Sequence, residues 1–427
     1  GDLGILGQKI IKTPNIDKLA SDGMIFTNHY SGAPVSGPSR CILMTGKHSG
    51  HSSIRGNKSI AGVGVAPINN NDITLPEAIK NQTNYVTGMC GRWHLGGELT
   101  NQTPYHRGFD YHFGKLSADF PNHYGVFIDS LWDQNGIHIP YDKYSKKNIE
   151  PMYENGKYYN LTEEENSHRP INMDRLVTDK AKNFIKSNKD NPFFLYLAYD
   201  APHEPYIIDE TGWYDDESWN MNTKRYASLI THMDRAIGRL LAELDRLGLR
   251  ENTLVIFASD NGAAKQAPLA ELGCKGSLKG MKGQLYEGGI RVPFIVNQPG
   301  KVPVRKLNNI IYFPDVMPTL AALAGATDKL PQKLNGINIL PLFYGQSLDT
   351  DNRLLYWEFP GKQRAARRGD WKVVTIKKDA PLELYNIRED MTESVNLADK
   401  YPEKVAQFEE EMKTMRVPTP NWPLPGE

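Results

Sequence analysis

Residues 193–206 read FFLYLAYDAPHEPY, and the change of character half-way along decides the fold. The first seven residues are apolar and aromatic, the composition of a short strand covered on both faces. The next seven bring an aspartate, a histidine, a glutamate and two prolines, so chemistry begins where the strand ends. The pattern recurs: YVTGM (85–89) runs into CGRWHLGG, TLVIFA (253–258) runs into SDNG, and VPFIV (292–296) adds a fourth apolar run.

Helix-like segments separate these runs. In TPNIDKLASDG, Thr13 is placed as an N-cap, Pro14 as the first helical residue and Gly23 as the stop. TLPEAIKN sets Thr74 and Glu77 at capping-box spacing. In RYASLITHMDRAIGRLLAELDRLG, Tyr226, Leu229, Ile230, Met233, Ile237, Leu240, Leu241 and Leu244 trace one apolar face, and Gly248 ends it. Strands alternating with helices predict an α/β fold: a central mixed, largely parallel sheet with helices on both faces. The ligand site of such a sheet lies beyond the carboxyl ends of its strands, where the polar motifs stand.

Residues 116–170, rich in Asn, Tyr, Asp and Pro, read as a long excursion with little regular structure. PLFYGQSLDTDN, near 340–350, reads as a linker. LLYWEF, WKVVTI, LELYNI and a last helix with Val405, Phe408, Met412 and Met415 on one face then predict a small C-terminal α+β subdomain. The expected division is a catalytic domain over 1–345 and the subdomain over 346–427.

Composition narrows the function classes. The 427 residues carry 50 Lys plus Arg and 50 Asp plus Glu, so no net field draws the chain to nucleic acid or an anionic membrane. Any bound anion must be held by local charges. The cysteines, Cys41, Cys90 and Cys274, are scattered and odd in number, which predicts neither a disulfide framework nor a zinc site. No apolar run is long enough to span a bilayer.

PVSGPSRCILMTG, Pro34 to Gly46, is the most distinctive loop: Ser36 sits among prolines and glycine, Arg40 follows four residues on, and an apolar run begins. Alone, Ser36 reads as a turn serine. Its context changes that. TPNIDKLASDGMIFTNHYSGAPVSGPSRCILMTGKHSGH resembles the N-terminal signature of the sulfatase family, with its core of Cys or Ser, any residue, Pro, Ser, Arg and a later Thr-Gly. LKGMKGQLYEGGIRVPFIV and LELYNIREDMTESVNLADKYPE are similar to two further family segments, so the resemblance spans almost the whole chain in order.

The resemblance implies that Ser36 is oxidised to formylglycine by a maturation enzyme, and that its hydrated aldehyde attacks the sulfur of a sulfate ester. It implies Arg40 as the holder of that group, Lys282 on the sulfate and leaving oxygen, His203 as the acid for the leaving alcohol, and His94 as the base. Family members usually have Lys before Trp-His; this chain has Arg92, which still binds sulfate but with a fixed proton and a different reach. The resemblance further implies a calcium ion with Asp260, Asn261 and the residue-36 group among its oxygen ligands. Two adjacent family aspartates find no counterpart, because GDLG at residues 1–4 aligns with the later half of their segment.

TGKHSGHSSIRGN looks like bacterial carbohydrate sulfatases, which makes His48, His51, Arg55, Asn57 and His123 candidates for binding a sulfated sugar, with Trp93, His106, Asn122 and Trp132 around them. The expected partner is a sulfated carbohydrate, and the expected location, from the resemblance alone, is periplasmic or secreted. Two rivals stand: a truncated or degenerate chain that only binds sulfated glycans, and a related phosphatase or phosphodiesterase, which calls for a richer Asp/His metal cluster.

Overall fold

The computed structural model describes residues 1–427 except 61–63, 117–129, 133–137, 141–151, 160–172, 205, 207, 209–210, 329, 361–362, 378–379 and 424–427. Most of the 116–170 excursion, with Asn122 and His123, lies outside the described residues.

The α/β architecture is as expected, with its strands in two mixed sheets. One runs in the order Val255–Ala258, Phe294–Asn297, Met24–Tyr30, Arg305–Tyr312, in which only the last pair is parallel. In the other, Phe193–Ala198, Val86–Arg92 and Tyr111–Lys115 are parallel, and Met152–Glu154 and Lys157–Tyr158 add an antiparallel edge. A shared helix layer joins them: Phe184 and Ile185 of Met173–Ser187 and Leu244 of Met221–Arg246 pack with Phe193, Leu195 and Val255.

Burial corrects one expectation. The interior strands Val86–Arg92 and Phe294–Asn297 are buried almost throughout, whereas FFLYLA and VIFA, equally apolar, are only half-buried apart from Ala198. Among the described residues both are the outermost strands of their sheets. Apolar composition reports what a strand can bury; sheet order decides what it does bury.

Local signals fared according to how local they were. Thr74 and Glu77 form the expected capping box of Leu75–Lys80. Asn220 caps Met221–Arg246, and Gly248, at φ +69°, takes the left-handed conformation that ends it. Thr13 precedes the Pro14–Ser21 helix without capping it, because its hydroxyl donates to Asp17 Oδ1 and accepts from the Gly4 amide.

The C-terminal subdomain is the expected α+β unit: four antiparallel strands between Leu355 and Asn386 and the helix Pro402–Thr414, whose Phe408 and Met412 are buried. Its second strand, Gln363–Arg368, reads as polar in sequence yet buries Ala365, Ala366 and Arg367. The presumed linker is not loose, since Leu342 and Phe343 are buried with Met24, Phe26 and Phe294. Trp357 packs beside Tyr30 and Tyr312 and donates its indole N–H to the Ser31 carbonyl, so subdomain and sheet share one core. No described helix is long and apolar enough to cross a membrane.

Candidate active site

Ser36 opens the ten-residue helix Ser36–Thr45, after an extended Val35, and is 3% exposed. Its hydroxyl donates to Asn261 Oδ1 at 3.3 Å. The positive end of the helix dipole therefore faces the group at position 36 and favours negative charge there. The next residue is Gly37, where an added Cβ would crowd Asn57 Oδ1 at 2.8 Å and touch His94 Nε2 at 3.5 Å. His94 itself is held at φ +64°, a conformation that strains a non-glycine residue by about 1–3 kcal/mol and clusters at functional sites.

Cations converge from four chain segments. Arg40, one helical turn beyond Ser36, places Nε 3.0 Å from Asp260 Oδ2 and donates from Nη1 to the Arg92 carbonyl at 2.6 Å and to the Tyr196 hydroxyl at 3.4 Å. Arg92, the last residue of its strand, puts Nη2 3.4 Å from His94 Nδ1. The loop bearing Lys282 is pinned on both sides, its amide to the Ala263 carbonyl at 2.8 Å and the Gly283 amide to the Pro34 carbonyl at 2.9 Å. His203 Nδ1 donates to the Glu204 carbonyl at 2.6 Å, so Nε2 is the ring nitrogen that bond does not use.

The charges act on one another. Burial, then Arg92, Arg40, His203 and Lys282, hold His94 neutral, well below the usual histidine range. Burial, Arg92 and Lys282 lower His203, against Glu204. Lys282 is lowered by burial although Glu204 and Asp260 pull it up. Burial pushes Asp260 upward, but Arg40, Lys282 and Arg92 outweigh it and keep the carboxylate below its ordinary range. Arg40, Arg92 and Lys282 gathered around a buried hydroxyl at a helix start suit a compact anion.

Comparison with known proteins agrees with that chemistry. The sulfatase family model matches residues 1–326, and the model for the C-terminal region of N-sulphoglucosamine sulphohydrolase matches 281–418. The chain belongs to the sulfatase family. N-acetylgalactosamine-6-sulfatase of Canis lupus familiaris is 31% identical over 370 residues, 84% of this chain and 66% of that protein, and the Homo sapiens enzyme is 31% identical over 82% and 64%. The chain thus spans just under two thirds of the length of these relatives. Among solved structures, Ps i-CgsB in complex with k-i-k-neocarrahexaose superimposes with a TM-score of 0.80 at 30% identity, covering 97% of this chain and 89% of that one.

Of the sulfatase residues expected from sequence, Ser36, Arg40, Arg92, His94, His203, Asp260, Asn261 and Lys282 are brought together. Among the described sugar-binding candidates, His48, His51 and Arg55 are engaged elsewhere. His48 is 1% exposed, stacked on His51 and edge-on to Tyr356. His51 Nδ1 meets Asn335 Oδ1 at 3.0 Å, and the Arg55 guanidinium is occupied by Glu358 at 2.7 Å and the Val417 carbonyl at 2.8 Å. His48 and Arg55 brace the C-terminal subdomain through Tyr356 and Glu358, some three hundred residues away, whereas Asn335, the partner of His51, precedes it. Asn57 accepts from the Gly37 amide at 3.1 Å, and so holds the first turn of the nucleophile helix. Trp93 is fully buried with its indole N–H on the Gln102 carbonyl, and His106 lies exposed with Nδ1 on Thr103. His123 and the Trp132 side chain lie outside the described residues. Sequence reasoning missed Lys115, Tyr196 and Asp200, although Asp200 stands in the opening motif.

Asp260, Asn261 and Ser36 offer oxygens of the kind a hard cation takes, but Arg40 engages Asp260 and only one of the three bears a charge. Calcium takes about six to eight oxygens. Among the described residues no group of three or more His, Cys, Asp and Glu is placed to hold a metal. The set fits in kind and falls short in number.

Proposed function

We propose that the protein hydrolyses sulfate esters of a sulfated glycan. The observation that carries this reading is Ser36, buried at a helix start and ringed by Arg40, Arg92, Lys282 and two histidines. A glycan substrate draws support from the relatives, whose names specify N-acetylgalactosamine-6-sulfate chemistry and, for the 30% identical structure, a bound neocarrahexaose. Ser36 is the proposed site of formylglycine formation by a maturation enzyme in an exported, periplasmic or secreted protein. When present, the hydrated aldehyde supplies both the attacking oxygen and a second hydroxyl through which sulfate is expelled. Asp260, Asn261 and the oxygen at position 36 are proposed as part of a calcium ion's oxygen shell.

The chain's own groups do the rest. Arg92 and Lys282 neutralise sulfate oxygens as charge moves onto them. An incoming anion also offsets the cations that depress His203, so its Nε2 gains the proton it gives to the departing alcohol oxygen. His94, kept neutral, accepts a proton from the group at position 36. Over the cycle one water is consumed and an alcohol and a sulfate ion are released.

The test is sulfate release by the full chain from sulfated N-acetylgalactosamine and carrageenan oligosaccharides, beside mass analysis of the Ser36 peptide. Activity should vanish in Ser36→Ala, and the active protein's peptide should be two hydrogens lighter than the encoded serine. An active Ser36→Ala protein overturns the mechanism; an active protein with unmodified serine overturns the formylglycine.

A further inference from the structure

Arg92 and Lys115 end adjacent parallel strands and are paired in register, so both side chains arrive at the same edge of the site. Both are buried, at 7% exposure each. Between them stands one carboxylate, Asp200, from the end of the neighbouring strand Phe193–Ala198. It is shared unequally. Lys115 Nζ lies 2.5 Å from Oδ2, whereas Arg92 Nη1 is 3.7 Å from Oδ1, beyond hydrogen-bond reach.

The remainder of the Arg92 guanidinium is lightly used. Nη2 has a 3.4 Å contact with His94, and Nε has no hydrogen-bond partner among the described residues. Its main chain, by contrast, is fixed, since its carbonyl accepts from Arg40. Guanidinium donors left unfilled in a buried place are expensive until an acceptor arrives. Burial raises Asp200, but Lys115 and then Arg92 outweigh this and hold it below the ordinary carboxylate range, so it stays ionised. Lys115 takes the close contact with Asp200, and the geometry leaves the Arg92 guanidinium the less engaged of the two cations.

We propose that Lys115 is a positioning residue: by saturating Asp200 it prevents a closed Arg92–Asp200 pair and keeps the Arg92 guanidinium open to an anionic oxygen of the sulfate ester. The inference rests on the sulfatase reading of the same site. It also accounts for arginine where the family has lysine, because the forked group has donors enough to graze Asp200 and still meet a second anion. Without Lys115, Asp200 would take the fork for itself.

The experiment is calorimetric titration of the full chain with inorganic sulfate, alongside KM and kcat for a sulfate ester, on Arg92→Gln, Lys115→Met, Asp200→Asn and Lys115→Met/Asp200→Asn. Lys115→Met should weaken sulfate binding and raise KM roughly 10- to 100-fold, the worth of a hydrogen bond to a charged group. The double variant, with no carboxylate to capture Arg92, should return to within about threefold of the parent. That rescue is what a merely structural lysine would not show, and melting temperatures check that each variant folds. If Arg92→Gln leaves sulfate binding unchanged, Arg92 is not in the anion site and the site reading itself fails. If Arg92→Gln weakens binding while Lys115→Met does not, or the double variant stays as weak as the single, the positioning role alone is overturned.

Discussion

Arg40 and Asp260 stand 220 residues apart in the chain, and their side chains meet at 3.0 Å, where the nucleophile helix faces the end of the Val255–Ala258 strand. Arg40 also anchors the Arg92 carbonyl, so one guanidinium ties together three segments of the site. Arg40→Gln leaves Asp260 without its nearest cation. Breaking one side of a largely buried pair lowers stability by about 3–5 kcal/mol, seen as a lower urea midpoint at pH 7 with an unchanged slope. The sign with pH follows from Asp260, whose folded value is depressed. Its contribution is present above the ordinary aspartate range and is lost as pH falls below it toward the depressed value. The gap between parent and variant should therefore narrow from pH 7 to pH 3; a constant gap would show that the pair contributes little.

His203 is assigned to the leaving alcohol, so the demand on it scales with how poor that leaving group is. His203→Ala should lower kcat for a sugar sulfate by roughly 100- to 10,000-fold, while an activated aryl sulfate, whose phenol departs unaided, loses far less. Parallel rate measurements on the two substrates decide the matter. Equal losses on both remove His203 from the role.

What the chain's order makes legible is local. The Thr74–Glu77 box, the stop at Gly248 and the strand-end motifs could be read because each signal lies within a few residues of its effect. The eight central site residues were legible through the family resemblance of their motifs, which segments of two mixed sheets and their loops bring together. Misreadings share one physical origin, a competing partner that the motif itself does not show. Arg55 looks like a sugar ligand until Glu358 arrives from the C-terminal sheet, and Thr13 looks like a cap until Asp17 and Gly4 compete for its hydroxyl. Lys115 gains meaning only from the register that sets it beside Arg92. Edge strands cannot be told from central ones by composition, since sheet order is a property of the whole fold.

His29, His48 and His112 are each enclosed, and burial lowers all three to about 3. Folded, they stay neutral; unfolded, they take a proton below about pH 6.5, so the unfolded state binds more protons and stability falls as pH drops from 6.5 toward 3. By pH 5 each contributes roughly 2 kcal/mol of destabilisation, and three together approach the total stability of an ordinary domain. Urea midpoints should fall steeply between pH 7 and pH 5. His48→Phe, which preserves the stack on His51 and the edge contact with Tyr356, should flatten that dependence by one histidine's share. An unchanged slope in the variant would mean His48 is protonated in the folded protein.

Lys372, on a strand of the C-terminal sheet, is fully enclosed between Glu287 at 2.8 Å and Glu393 at 2.9 Å. Glu287 begins a short helix five residues past Lys282, so this ion cluster joins the subdomain to the loop carrying a proposed catalytic group. Burial would raise Glu287, but Lys372, Arg291 and Arg367 bring it down to about 2; Glu393 is raised by its burial and by Glu287, with Lys372 opposing. Removing the ammonium in Lys372→Met leaves two carboxylates facing each other in a dry site, which lowers stability by about 3–5 kcal/mol. Lys372→Met/Glu393→Gln should recover part of that, because the like-charge contact is gone. The same cluster, with Trp357 seated against Tyr30, argues that residues 1–345 do not fold alone. Such a fragment loses the Lys372 charge opposite Glu287 and exposes Tyr30 and Tyr312, so it should aggregate and show no cooperative unfolding. A soluble 1–345 fragment with a parent-like urea midpoint would refute the shared core and make the subdomain a dispensable appendage.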